Sequence, residues 1–184
     1  MNAGGEMATK VDDILDAAEG FARTRGYNGF SFRDIAAAVG IKSASVHYHF
    51  PTKADLGAAI VSRYSDRFFD RLGDPANPKT SAGALLDSYV AAFRHALVRD
   101  RQMCLCGMFG AEIASLPEDI AAEVKRFFQR NIEWLQVVLS RLDADGSLAP
   151  FILAVLEGAL IVARSLGRPK LFDEIVAGAI PIRR

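Results

Sequence analysis

Apolar residues recur along this chain at helical spacing and almost nowhere at the alternation of a strand. Val11, Ile14, Leu15, Ala18, Phe21 and Ala22 share one face behind Thr9, with Asp12 three residues on; this predicts a helix opened by a capping box and stopped at Gly26. Ser31 and Asp34 open a second helix with Phe32, Ile35, Ala36 and Val39 as its apolar positions, ending at Gly40. A very short third follows from about Ser43 to His49. A fourth begins near Thr52 or Lys53 and carries Leu56, Ile60, Tyr64, Phe68 and Leu72, a length of about 30 Å.

The stretch from Gly73 to Ser81 contains Pro75 and Pro78 among turn formers and reads as a linker. Helical spacing resumes at Leu85, Tyr89, Phe93, Ala96 and Leu97 and continues through Met103 to Leu116. Ser115, Pro117 and Glu118 predict the start of a long helix with the stripe Ile120, Val124, Phe127, Asn131, Leu135, Val138 and Leu142. Asp143 to Ser147 is a turn, Pro150 opens an almost wholly apolar helix, Pro169 breaks it, and Leu171, Phe172, Ile175, Val176 and Ala179 mark a last one before Pro181. The expected fold is all-α, with about nine helices and no internal repeat.

Composition narrows the function. A chain of 184 residues with 51% hydrophobic and 24% charged residues can bury a real core. Its 22 basic and 22 acidic residues cancel, so nucleic-acid binding cannot be argued from bulk charge. Two cysteines, Cys104 and Cys106, do not make a secreted disulfide scaffold. The N-terminal residues show no signal-peptide pattern, and the apolar run from Phe151 to Ala163, interrupted by Glu157, falls short of a membrane span. These features predict a soluble, cytoplasmic protein without membrane contact. No nucleophile–base grouping, phosphate-binding glycine loop or metal-spaced cluster is visible, so no catalytic residue, metal or cofactor is expected and the chain does not read as an enzyme.

Local charge tells a different story between residues 31 and 53. Gly40 allows the left-handed backbone that turns one short helix sharply into the next. Ile35, Ala36, Val39, Ile41, Val46 and Phe50 supply an inner face, which leaves Lys42, Ser43, Ser45, His47, Tyr48 and His49 outward, with no acid among them. Over the whole segment Arg33, Lys42 and Lys53 face only Asp34. A donor-rich, locally positive face on a neutral chain is what phosphate contact requires.

These residues carry a resemblance. The Ala-rich first helix ending at Gly26, then Asp34-Ile35-Ala36, Val39-Gly40-Ile41 and Val46-His47-Tyr48-His49-Phe50, followed by Lys53 and Leu56, resemble the DNA-binding domain of the TetR family of bacterial transcriptional regulators. Ala44 departs from the glycine many members have there, a change a helix accommodates. The resemblance implies a helix-turn-helix domain over residues 8–52 and a helical ligand-binding and dimerisation domain over 53–184. It places Ser43, Ser45 and His47 at the major groove, Tyr48, His49 and Lys53 on phosphates, and Ser31 and Arg33 at the flanking backbone or an adjacent base. It implies a repressor acting as a homodimer on a palindromic double-stranded operator and released by a small-molecule effector.

In the second domain Tyr89, Phe93, Met103, Met108, Phe109, Phe127 and Trp134 are large side chains on helices expected to surround a pocket; they favour an apolar or aromatic effector, with His95 and Glu112 as polar groups to orient it. Core packing is the plainer reading for most of them, and solvent exposure for His95 and Glu112. Gly107 and Gly110 suit either close helix packing or a compliant joint. The helix from Pro150 is apolar all round and needs cover on every side. A partner subunit would supply it, through Ala154, Val155, Gly158, Ile161 and Val162, with Phe172, Ile175 and Val176 from the last helix completing half of an intersubunit four-helix bundle. Two alternatives remain: a thiol-based electrophile or redox sensor using Cys104 or Cys106, and a helical carrier or protein-interaction module.

Overall fold

The computed structural model describes residues 3–180, with side chains from Lys10 onward, and every regular element among them is helical. The helices are α1 (Ala3–Arg25), α2 (Phe32–Val39), α3 (Ser43–His49), α4 (Lys53–Leu72), α5 (Ala82–Val98), α6 (Leu105–Ala111), α7 (Glu118–Ser140), α8 (Leu148–Ser165) and α9 (Lys170–Ala179), with single 3-10 turns at Tyr27–Gly29 and Ile113–Ser115. This is the all-α fold the periodicity predicts.

Local signals set most boundaries. Ser31 caps α2 in a reciprocal box with Asp34, and Thr52 and Asp55 make the same exchange at the start of α4. Two starts differ from expectation. Helix α1 begins at Ala3, ahead of Thr9, whose side chain lies outside the described residues, as does Pro181. Ser115 does not cap α7: its hydroxyl donates to the Glu112 carbonyl at 3.0 Å, and the Pro117 carbonyl accepts the first helical bond from Ala121 instead.

The chain divides into two compact units, Met1–Ser65 with Leu105–Lys125, and Asp66–Cys104 with Arg126–Arg184. In the first, Ile14, Ala18 and Ala22 of α1 are buried in one core with Ile35, Val46, Leu56, Ile60 and Phe109. Gly57 lets α4 approach α7 closely, since a Cβ there would lie 2.3 Å from Ile120 Cδ1. Arg63 ties α4 to α1 through Asp16 at 2.6 Å and Asp12 at 3.5 Å.

The second unit is built on an aromatic layer. Phe68 meets Tyr89, Phe93 and Phe127 edge-on at 6.0, 5.8 and 5.4 Å, and Tyr89 stacks on Trp134 at 5.3 Å. The predicted linker is ordered by side chains from α7 and the residue just after it: Arg141 donates to the carbonyls of Pro75 and Thr80, and the Trp134 indole N–H to that of Gly73 at 3.0 Å. Arg94 of α5 holds Asp173 of α9 with two bonds, of 2.8 and 3.1 Å.

Helix α8 is two-sided. Ile152, Leu156, Ala159, Leu160 and Ala163 are buried, whereas Phe151, Ile161 and Val162 are 50%, 48% and 42% exposed. At 18 residues it is longer than the apolar run suggests and is long and apolar enough to cross a membrane, but its buried stripe belongs to a packed unit that includes α5 and α9.

Candidate nucleic-acid interface and effector core

The turn between α2 and α3 is built by Gly40, whose φ of +74° is the left-handed conformation a Cβ disfavours. Its N–H and that of Ile41 both return to the Ala36 carbonyl, closing the end of α2. Helix α3 is then pinned on the inside by Val46, which is fully buried, and by Phe50 just beyond its end.

What α3 leaves outside is specific. Tyr48 is 77% exposed, far beyond what a tyrosine needs for folding, and Lys42 and His47 are exposed beside it. Ser43, Ser45 and His49 are half-buried. The His47 ring packs edge-on against buried Phe32 at 4.5 Å, and the Tyr48 and His49 rings meet at 5.1 Å, so all three rings of this helix have an aromatic neighbour. On α2, Arg33 is exposed, and Ser31 is exposed but engaged: its hydroxyl and N–H both donate to Asp34, at 2.6 and 2.7 Å. Those bonds hold the Asp34 carboxyl below its ordinary range, which keeps the only acid of the segment ionised and tied to the cap.

Lys53 is turned inward. Its ammonium donates to the Phe30 carbonyl at 2.6 Å and lies 4.6 Å from the ring centres of both Tyr27 and Phe30. Partial burial lowers its pKa, and the charges of Glu112 and Asp34 offset part of that. Glu112 itself accepts the Tyr27 N–H, so this acid is placed in the first unit as a backbone cap.

The other effector-core candidates separate by unit. Met108 and Phe109 fall in the first, where Phe109 packs edge-on against Tyr27 at 5.9 Å. Tyr89, Phe93, Met103, Phe127 and Trp134 fall in the second and are all buried. Two polar residues join them that sequence reasoning did not single out. Asn131, fully buried, accepts the Tyr89 hydroxyl at 2.7 Å and donates to the Phe127 carbonyl at 2.7 Å. Glu157 projects from α8 with both carboxyl oxygens shielded from solvent. Each was signalled by a polar residue inside an apolar stripe. An open groove of about 350 Å³ in this unit is lined by Trp134 together with Phe69, Pro75, Arg130 and Glu133.

Of the interface candidates, Ala154, Ile161 and Val162 are exposed, and Val155, Gly158 and Ile175 are half-buried. A side chain on Gly158 would meet nothing within 4 Å. Phe172 and Val176 point the other way: the inner stripe of α9 buries them fully within the single chain. Phe151 and Leu166, both at least half exposed, extend the outer apolar face in their place. Cys104 precedes α6 and Cys106 lies within it, and both are buried.

Comparison with known proteins places these features together. Residues 14–60 match the model of bacterial regulatory proteins of the tetR family. The transcriptional regulator AcuR of Cereibacter sphaeroides is 31% identical over 158 residues, covering 79% of this chain and 72% of that protein. The HTH-type transcriptional repressor DhaR of a Mycobacterium species is 29% identical over 150 residues, covering 74% and 73%. Among solved structures, a TetR transcriptional regulator from Legionella pneumophila is 38% identical with a TM-score of 0.86, covering 92% of this chain and 94% of that one. A TetR-family regulator from Agrobacterium tumefaciens is 30% identical with a TM-score of 0.88, covering 94% and 96%.

Proposed function

The chain belongs to the TetR family of bacterial regulatory proteins, and from that membership we propose that it is a cytoplasmic transcriptional repressor, homodimeric on a palindromic DNA operator and released by a small-molecule effector. The observation that carries this reading is the outward face of α3, with exposed Lys42, His47 and Tyr48 and no carboxylate. In it residues 8–52 bind DNA and 53–184 bind the effector and the partner subunit.

His47, with Ser43 and Ser45, reads base edges; Lys42, Tyr48, His49 and Arg33 contact phosphates. Ser31 contributes by fixing the start of α2. Lys53 contributes charge and, through Phe30, the position of the residues that lead into α2. Helix α3 has 7 residues, so one subunit reads only a few base pairs, and two-fold symmetry supplies the rest. The exposed face of α8, with Phe151, Ala154, Ile161 and Val162, is where the second subunit packs. The effector favours a conformation that spaces the two α3 helices wrongly, and its differential affinity sets how far DNA binding falls.

Selection from a pool of random duplex DNA tests the reading. The expected product is a palindrome whose half-sites lie about one helical turn apart or a little more, bound with strong salt dependence. Failure to enrich any duplex, or enrichment of a sequence without two-fold symmetry, counts against it.

A further inference from the structure

Glu157 is the acid that interrupts the apolar face of α8. Both of its carboxyl oxygens are shielded from solvent with no hydrogen-bond partner of ordinary geometry among the described residues; the thiol of Cys104, a weak donor, lies beside them. Folded proteins rarely leave a buried polar group in that state, because an ion taken from water and left without strong partners is unfavourable. Burial pushes the carboxyl up to about 7, and the nearby Cys104 thiol eases it only in part.

The Cys104 thiol is the donor turned toward it, and stronger donors of the unit are committed elsewhere. The Tyr89 hydroxyl, close enough to be shifted upward by the charges of Glu157 and Cys104 after burial itself, gives its proton to Asn131. The Asn131 amide donates to the Phe127 carbonyl. Among the cations of the unit, Arg94 is held by Asp173, and Arg164 donates to the Arg101 carbonyl. Tyr89, whose hydroxyl feels the charge of Glu157, stacks on Trp134 and tilts against Phe93 at 5.5 Å, so the ring nearest the acid by charge belongs to the aromatic layer.

We propose that Glu157 anchors an effector site and takes the positively charged nitrogen of an aromatic or alkyl amine. The proposal rests on the reading of the chain as an effector-released repressor and names its effector class. A hydrocarbon would leave both oxygens unpaired, and an anion would meet a like charge. An ammonium group supplies N–H donors and charge at once, and ring faces of the Tyr89 kind favour a cation over a neutral group.

The test uses the full chain and five probes: benzylamine, phenethylamine and 4-phenylbutylamine, with neutral benzyl alcohol and anionic benzoate as controls, each titrated by calorimetry. At least one amine should bind the wild type more tightly than either control. Glu157→Gln should weaken that amine by about tenfold or more, as loss of a charge-assisted bond implies, and leave benzyl alcohol unchanged. Glu157→Asp, which keeps the charge one methylene short, should retain part of the affinity. The proposal is overturned if no amine binds at millimolar concentration, if Glu157→Gln binds amines as the wild type does, if a control binds more tightly, or if the variant alters only subunit dissociation. Adding each probe to the complex with the selected duplex separates this proposal from the one it rests on. An amine that binds through Glu157 without releasing DNA upholds the site and overturns effector release. Release by benzyl alcohol and by no amine does the reverse.

Discussion

The carboxylate of Glu112 receives the backbone N–H of Tyr27 between its two oxygens, each 3.2 Å away, across 85 residues of sequence. The residue before Tyr27 is Gly26, with φ of +76°, and a Cβ built on it would lie 1.9 Å from one of those oxygens. The end of α1 is therefore fixed by a side chain that arrives from beyond α6; the backbone angle favours glycine there, and any side chain would have to displace the Glu112 carboxylate from its bond.

Replacing Glu112 by Ala should destabilise the protein by roughly 1–2 kcal/mol, the usual result of removing the partner of a part-buried N–H. Gly26→Ala should cost more, because it adds strain to the clash. The double variant should be less unstable than the sum, since removing Glu112 relieves the clash but not the backbone angle. Urea denaturation of the three variants reads the coupling directly; strict additivity would mean that the two residues do not meet.

His47→Ala should change which bases are preferred, whereas Lys42→Ala should weaken all duplexes alike and reduce the salt slope by about one unit. Lys53→Ala should resemble Lys42→Ala in DNA binding but also lower the melting temperature, because its ammonium holds the Phe30 carbonyl. Gel-shift titrations at several salt concentrations, with melting curves of the same preparations, distinguish the two lysines.

Glu157 gives the stability a defined pH dependence. Its ordinary value of 4.5 rises to about 7 on folding, so the folded chain holds the proton more tightly than the unfolded one. The penalty is absent below the unfolded value, grows as pH rises between the two, and is complete above the folded one. Glu157→Gln should therefore match the wild type near pH 4 and be more stable at pH 8, by an amount on the order of 3 kcal/mol. Denaturation at the two pH values checks this, and a variant less stable at pH 8 would remove the premise of an unpaired acid.

The exposed face of α8 predicts the assembly. Val162→Asp or Gly158→Leu should yield monomer or aggregate, the first by burying a charge and the second by overpacking a close helix contact, typically at 1–3 kcal/mol. Sedimentation of the wild type at micromolar concentration is the control: a clean monomer there rules out the interface.

Changing Cys104 and Cys106 together to Ser should leave effector-driven release intact, with a modest loss of stability, because buried thiols are poorly reactive. If mild peroxide releases DNA from the wild type and not from this variant, the thiol-sensor alternative is the correct one.

The helix-turn-helix was legible because its signals are local. Ser31 and Asp34 lie within one turn, Gly40 sits at the turn it makes, and the inner positions follow from the helical period. Partners far apart in sequence were not legible. Glu112 reads as a polar group in an apolar segment, and nothing local reveals that its acceptor capacity goes to the N–H of Tyr27. Phe172 and Val176 carry the apolar character of an interface, but only packing decides that they face their own chain while Ile161 and Val162 do not. Glu157 was visible as an interruption of an apolar run; that its oxygens are buried depends on how α8 is packed.

The Pro-rich stretch after α4 invites use as a splice point for hybrid regulators, since it looks like a joint between modules. It is instead stapled at three carbonyls by Trp134 of α7 and by Arg141, the residue that follows that helix. A chimera joined there would inherit the carbonyls from one parent and the staple from the other. Unless the donor also presents a guanidinium and an indole at those two places, the graft exchanges an ordered strap for a slack one, and the part-buried Arg141 loses both acceptors. A junction that moves residues 73–81 together with α7 and Arg141 keeps the strap whole.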